Sequence, residues 1–349
     1  MNTRSQAERR GAGRDGVTVA VVATRPETVL ADYARLLQLA GLVTEARVLP
    51  EQTVPPEQSW QLALAAPAAV PSGPAAAGPP WQLEGVIAAL VAAGCAPARI
   101  APTWPPGLRS GAAPLADWRR VLAAHGVDAT AASAAANATA VPSRGPRLLL
   151  ANLRVDRHFG VAGGVAALAA AGREVTRLEE LAGEPELIEQ LWRREAAAVA
   201  GAVIDATVVG EGRHATALAP VAAHLLLAGR DPVAVDAVAC RLVGIDPLRV
   251  PTLARLDRAG LGCADPQAIV LVGDVGAMPP TLGLAAVPGP RSAAGAGGPR
   301  WWRRWVRKLA VGWPRPLARR RAGRRYEAQP WGRLHAEYRR HGSIAGGRG

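Results

Sequence analysis

The sequence predicts an α/β protein, with a mostly parallel sheet or sheets flanked by helices, built as two α/β halves and followed by a basic helical extension at the C-terminus. Short runs of β-branched and aliphatic residues, such as 17–23, 147–152, 201–205 and 268–272, alternate with segments whose apolar residues recur at helical spacing. That β-α-β-α rhythm is the pattern of a parallel sheet covered by helices. A hydrophobic content of 49% over 349 residues supports a large core, and the single Phe and three Tyr leave most of its volume to Ala, Val and Leu. Charge marks off the extension. Residues 300–349 hold 15 Lys and Arg against two acidic residues, Glu327 and Glu337, whereas 1–299 carries 26 of each sign. An electrostatic partner is therefore to be sought at the C-terminus.

In chain order, residues 1–16 are polar and Arg-rich and read as a disordered N-terminus. Residues 17–145 read as a degenerate N-terminal α/β half with Pro/Ala-rich loops. Its first strand is 17–23, followed by a helix over 26–41 with Val29, Tyr33, Leu36, Leu37 and Ala40 on one side and Gly41 at its end. A β-like piece over 46–49 leads to residues 50–80, whose Pro, Ala and Gly predict a long irregular loop. Helices over 81–93 and 114–124 and short strands over 97–101 and 127–129 complete this half. A linker over 131–145 precedes the C-terminal α/β half, 146–282. There the pattern gives a strand over 147–152, then helices over 161–171 and 184–198. Strands over 201–205 and 224–228 flank a loop over 207–220. Helices over 231–244 and 250–259 and a buried closing strand over 268–272 follow, before the basic Trp/Arg-rich tail, 283–349.

The helix over 231–244 carries the clearest local physics. Asp231 before Pro232 is a helix-start signal, since the carboxylate accepts from an orphan N–H and Pro suits the first helical position. Val233, Val235, Ala237, Val238, Leu242 and Val243 leave little polar surface, so the helix is expected to be buried, with Cys240 as a small apolar residue. Asp236 then needs a partner, because an unpaired buried charge is costly. Two readings stay open: Asp231 caps the helix and Asp236 pairs with a backbone N–H, an Arg or a His, or both carboxylates face a site.

Several classes find no support. Cys95, Cys240 and Cys263 are far apart with no C-x-x-C pair, so neither a disulfide framework nor a zinc or iron–sulfur motif is expected. The apolar run at 17–23 is short for a signal peptide, and no stretch of about 18 apolar residues predicts a membrane-spanning helix. The expected location is cytoplasmic, with the tail at the inner membrane surface as a peripheral option. G-x-S-x-G, P-loop and H-E-x-x-H patterns are missing, and Gly160-x-x-Gly163-Gly164 only partly matches a phosphate-binding turn. Those glycines read as places where a helix packs closely on the sheet.

The string Asp231-Pro-Val-Ala-Val-Asp236-Ala-Val-Ala is followed by Gly244-Ile-Asp-Pro247, Gly260-Leu-Gly262 with Asp265, and Ile269-Val-Leu-Val-Gly273-Asp274. Together these segments resemble the domain of unknown function 362 family. Upstream, Val203-Ile-Asp205 with Gly210-Glu211-Gly212 is similar to the family's Asp plus Glu-Gly loop, and Asn152-Leu153 with Arg157-His158 to its strand-to-loop segment. Departures accompany the likeness. Asp156-Arg157-His158 lacks the family's Lys before the His, and residues 165–172 are apolar where the family has a Lys/Asn-rich segment. Leu49-Pro50-Glu51-Gln52 replaces a Lys-Pro-Asn segment, and the ferredoxin-like iron–sulfur module of many relatives has no counterpart in the sequence. The resemblance implies a divergent member of unresolved activity.

The candidate site is the set His158, Asp205, Glu211, His214, Asp231 and Asp236. Carboxylates with one or two His can bind a divalent cation or do acid/base work, and the set is a candidate to bind a small anionic ligand. Asp205 at a strand end and Glu211 in a Gly-flanked loop stand where α/β sheets bind ligands. The alternative is that Asp205 and Asp231 satisfy loop and helix N–H groups while Glu211 and His214 are solvated. The tail gives a second signal. Trp301, Trp302, Trp305 and Leu309 share a helical side with Arg300, Arg303, Arg304, Arg307 and Lys308 around the rest. That arrangement suits an anionic membrane surface, at about 1 kcal/mol per cation. Docking on the protein's own core and contact with nucleic acid or another polyanion are its rivals.

Overall fold

The computed structural model describes residues 16–43, 60–64, 78–103, 113–128, 145–156, 159–171, 184–211, 219–284, 324 and 326–345. Their strands are β1 (Val17–Ala23), β2 (Trp60–Leu64), β3 (Ile100–Thr103), β4 (Arg147–Asp156), β5 (Gly160–Val161), β6 (Val199–Glu211), β7 (Ala219–Gly229) and β8 (Ile269–Gly273). The helices are α1 (Val29–Leu39), α2 (Pro80–Ala92), α3 (Ala113–Ala124), α4 (Gly164–Ala171), α5 (Pro185–Glu195), α6 (Pro232–Leu242), α7 (Pro251–Arg258) and α8 (Pro330–His341).

One sheet of eight strands runs β3-β2-β4-β6-β7-β1-β8, with β5 paired to β4. The pairs β2–β3, β2–β4, β4–β6 and β1–β8 are parallel, and β7 runs against both β6 and β1. The first strand of the chain thus lies between β7 and β8, so both sequence halves feed the same sheet. Side chains alternate along each strand, which gives the sheet two buried faces. Face one packs α1, α2, α3 and α8 on Leu148, Leu150 and Val203. Face two packs α4, α5, α6 and α7 on Leu149, Ala151, Ala202 and Ile204. The mostly parallel α/β class read from the sequence is the one observed.

Several expectations need correction. Residues 50–80 are not loop throughout, because Trp60–Leu64 forms a fully buried strand between β3 and β4. Five buried residues cannot show a period, so the surrounding Pro and Ala dominated the pattern. Within the expected loop over 207–220, residues 207–211 and 219–220 are strand: β6 and β7 pair antiparallel with a register that reaches Glu211 and Ala219. The ladder is irregular between Ala206 and Val208, opposite His224, which has a φ of 57°. Such a bulge hides the period-2 signal. The closing strand β8 is a sheet edge rather than a buried strand, with Val270 49% exposed. Residues 127–128 form no strand, and the pieces at 46–49 and 131–144 lie outside the described residues.

The tail is not one separable unit. Trp331, Leu334, Tyr338, Tyr326 and Ile344 are buried in face one. The Trp331 ring lies 5.3 Å from that of Trp81, and its Nε1–H donates to His224 Nδ1 at 3.1 Å. Glu84 of α2, wholly buried, accepts from the Ser343 hydroxyl, from the Ile344 and Ala345 N–H groups at 3.3 and 3.2 Å, and meets His125 at 3.2 Å. Burial pushes the Glu84 carboxyl up, but these donors and Tyr338 outweigh it and hold it below its ordinary range. Residues 300–323, with Trp301, Trp302, Arg303, Arg304, Trp305, Arg307 and Lys308, lie outside the described residues. Among the described residues no helix is long and apolar enough to cross a membrane.

Candidate functional site

Asp231 begins α6 as its sequence predicts. One carboxylate oxygen accepts from Val233 N at 2.9 Å and Ala234 N at 3.2 Å, and the other from Cys263 N at 2.7 Å. The residue therefore caps its own helix and ties it to the loop before β8. Asp236, one turn on and fully buried, reaches across to α4, accepting from Gly164 N at 2.6 Å and Val165 N at 2.9 Å. The carboxylate occupies the helix N-terminus where an external anion would otherwise sit. A Cβ at Gly163 would lie 2.0 Å from Asp236 Oδ1, so the Gly160-x-x-Gly163-Gly164 turn makes room for this side chain. Burial raises the Asp236 carboxyl to about 7; the two N–H donors oppose that rise and the nearby Asp231 charge adds to it.

Asp205 is not at a strand end. It sits mid-strand in β6, fully buried, with four donors on its two oxygens. Thr207 N and Oγ1 donate at 2.9 and 2.6 Å to one, and Tyr33 OH and Trp81 Nε1 at 2.5 and 3.0 Å to the other. Burial raises its carboxyl, against those four bonds. A Cβ at Gly85 would lie 2.4 Å from Tyr33 Cδ2, so this glycine lets α1 and α2 approach and Tyr33 reach Asp205. Asp205 thus joins α1 and α2 to face one, while Asp231 and Asp236 belong to α6 on face two. The sheet separates carboxylates that the sequence reading grouped in one cluster. Among the described residues no group of three or more His, Cys, Asp or Glu is placed to hold a metal ion. His158 and His214 lie outside the described residues, as does the side chain of Glu211 at the end of β6.

A different constellation emerges beside Asp205. Asn152 of β4 stands opposite Asp205, yet Arg154 stands opposite Gly210, so the β4–β6 ladder is irregular between Asn152 and Arg154. There the Asn152 amide Nδ2–H donates to Val208 O at 3.4 Å. A carbonyl only accepts, so this bond leaves Asn152 Oδ1 on the other side of the amide. Asn152 is 5% exposed, and its Oδ1 has no hydrogen-bond partner among the described residues; the same holds for Arg154 Nη1. By strand alternation both side chains stand on face one, near the carboxyl end of β4. Burial pulls the Arg154 guanidinium down, with the Asp156 charge opposing it. Sequence reasoning passed over Arg154, although Leu148, Leu150, Asn152 and Arg154 form one alternating row whose last two members are polar.

Residues 186–241 match the family model described as Domain of unknown function (DUF362). The matched stretch runs from α5 through the β6–β7 hairpin to α6 and includes Asp205, Glu211, His214, Asp231 and Asp236. No curated protein and no solved structure matches the chain. In the described residues, Asp205, Asp231 and Asp236 of the matched stretch link α1 and α2 to β6, α6 to the loop before β8, and α6 to α4. The likeness to the DUF362 family is thus carried by residues 186–241.

Proposed function

We propose that the chain is a ligand-binding α/β domain that holds a small oxyanion near the carboxyl end of β4. The observation that carries this reading is the pair of buried, unpartnered polar atoms, Asn152 Oδ1 and Arg154 Nη1, on one face of that strand. Buried polar atoms in folded proteins nearly always have a partner, and an orphan calls for a bound water or ion. The position is also the one where open α/β sheets take their ligands. A guanidinium there supplies charge together with N–H geometry suited to carboxylate or phosphate oxygens.

The ligand reading differs from the sequence expectation in its holders. Asp205, Asp231 and Asp236 are occupied by protein donors, so anion binding rests on Asn152 and Arg154. A divalent cation is a reading that now rests on His158, Glu211 and His214, and elemental analysis of the purified protein tests it. The anion reading is tested by equilibrium dialysis with inorganic phosphate and sulfate. Saturable retention of either, reduced at least about tenfold in Arg154→Gln, is the expected result, since a charged hydrogen bond contributes about 1.5–3 kcal/mol. Absence of saturable retention of both anions would overturn it.

The tail supports a second element of the proposal. Residues 326–345 are spent on the core, which leaves the Trp/Arg stretch 300–309 as the segment to meet an anionic membrane surface. Sedimentation with anionic vesicles, comparing the full chain with a variant lacking residues 300–323, tests it. Vesicle binding unchanged by that deletion would sink this part of the reading.

A further inference from the structure

The two orphan atoms are chemically unlike, and that difference specifies the ligand further. Arg154 Nη1 carries hydrogens and needs an acceptor; Asn152 Oδ1 needs a donor. The orientation of the amide is not free, because its Nδ2–H faces the Val208 carbonyl at 3.4 Å. Oδ1 is thus the atom left to meet a ligand. Both residues lie on the same side of one strand, two positions apart, a backbone separation of about 7 Å that the long Arg side chain can shorten. One small group spanning that separation would answer both.

We infer that the ligand of this site is an oxyanion that keeps an O–H of its own, with inorganic phosphate as the matching group near neutral pH and a phosphate monoester matching only below about pH 6. This rests on the anion-binding reading above. An unprotonated phosphate oxygen accepts from Arg154, and the P–O–H donates to Asn152 Oδ1. Sulfate has the same shape and can accept from Arg154, but at neutral pH it has no hydrogen to give. Its binding would leave Asn152 Oδ1 buried against an acceptor oxygen. Sites built to hydrogen-bond a ligand hydroxyl reject analogues lacking it because the site's own buried group is left unpaired.

The test is competitive equilibrium dialysis on the full chain with inorganic phosphate, sulfate and a simple phosphate monoester. Near neutral pH the expected result is phosphate at least about tenfold tighter than sulfate. Monoester affinity is expected to fall as pH rises through about 6, where the ester loses its last O–H, while inorganic phosphate holds its affinity. The same pH dependence separates an ester from free phosphate as the occupant. Asn152→Leu removes the acceptor and is expected to bring phosphate and sulfate within about twofold of each other, with sulfate still bound through Arg154. Equal affinities for phosphate and sulfate in the wild-type chain would overturn this inference while leaving the anion site standing. Absence of saturable binding of either would overturn both. If Asn152→Leu fails to fold, the wild-type ratio and its pH dependence still decide.

Discussion

Replacing Asp236 by Ala removes the acceptor of two buried N–H groups at once. Gly164 N and Val165 N, 2.6 and 2.9 Å from the carboxylate, are at the first turn of α4 and have no earlier carbonyl in the helix to take them. Leaving one buried donor unsatisfied costs about 1–3 kcal/mol, so the pair gives about 2–6 kcal/mol, a large fraction of the stability of an ordinary domain. The pH dependence has a definite sign. With its carboxyl raised to about 7, folded Asp236 holds its proton to higher pH than the unfolded chain does. Its contribution to stability is therefore full below about pH 4, the unfolded value, and is lost as pH rises to about 7. That interval corresponds to at most about 4 kcal/mol. Urea unfolding followed by Trp fluorescence at several pH values measures both effects. The expected result is a variant less stable than wild type by about 2–6 kcal/mol near pH 5, with a smaller difference near pH 8. A loss below about 0.5 kcal/mol, or a pH slope in the variant equal to that of wild type, would refute the assignment of Asp236 as the buried cap of α4.

Tyr33→Phe keeps the ring against α2 but takes one of four donors from Asp205, and urea unfolding should show a loss of about 1–3 kcal/mol. No measurable change would mean that Tyr33 and Asp205 do not share a bond in solution. Trp331→Ala should cost about 3–5 kcal/mol by the same assay, because the indole is fully buried against Trp81. A truncation at residue 300 is accordingly expected to destabilise the core, whereas deletion of 300–323 alone should leave the melting temperature within about 2 °C. Equal melting temperatures for the two deletions would contradict the docking of α8. Glu84→Gln, which keeps the shape and removes the charge, should lower stability at neutral pH and have less effect as acid protonates the wild-type carboxylate, since Glu84 is held below its ordinary range.

Elements with a long pattern and chemical punctuation were legible in the sequence. The start of α6 at Asp231-Pro232, its buried face and the first strand at Val17–Ala23 fall where the sequence puts them. Elements defined by their neighbours were not: β2 takes its identity from β3 and β4 on either side, and the β6–β7 hairpin carries a bulge at His224 that breaks its alternation. For the site, the capping reading of Asp231 and the backbone-paired reading of Asp236 were both available and both match the geometry. The grouping of Asp205 with them could not be judged, because residue type says nothing about which face of the sheet a side chain takes until strand order is known. Arg154 was hidden for a related reason. On a strand end an Arg reads as solvated, and only burial reveals that its Nη1 lacks a partner.

The measurement that bears most directly on the central claim is equilibrium dialysis of the wild-type chain against inorganic phosphate, run in parallel with Arg154→Gln. The account predicts saturable binding near one phosphate per chain, weakened at least about tenfold in the variant while the circular dichroism spectrum is unchanged. Retention that never saturates, or that is the same in both proteins, would contradict an oxyanion site at Asn152 and Arg154.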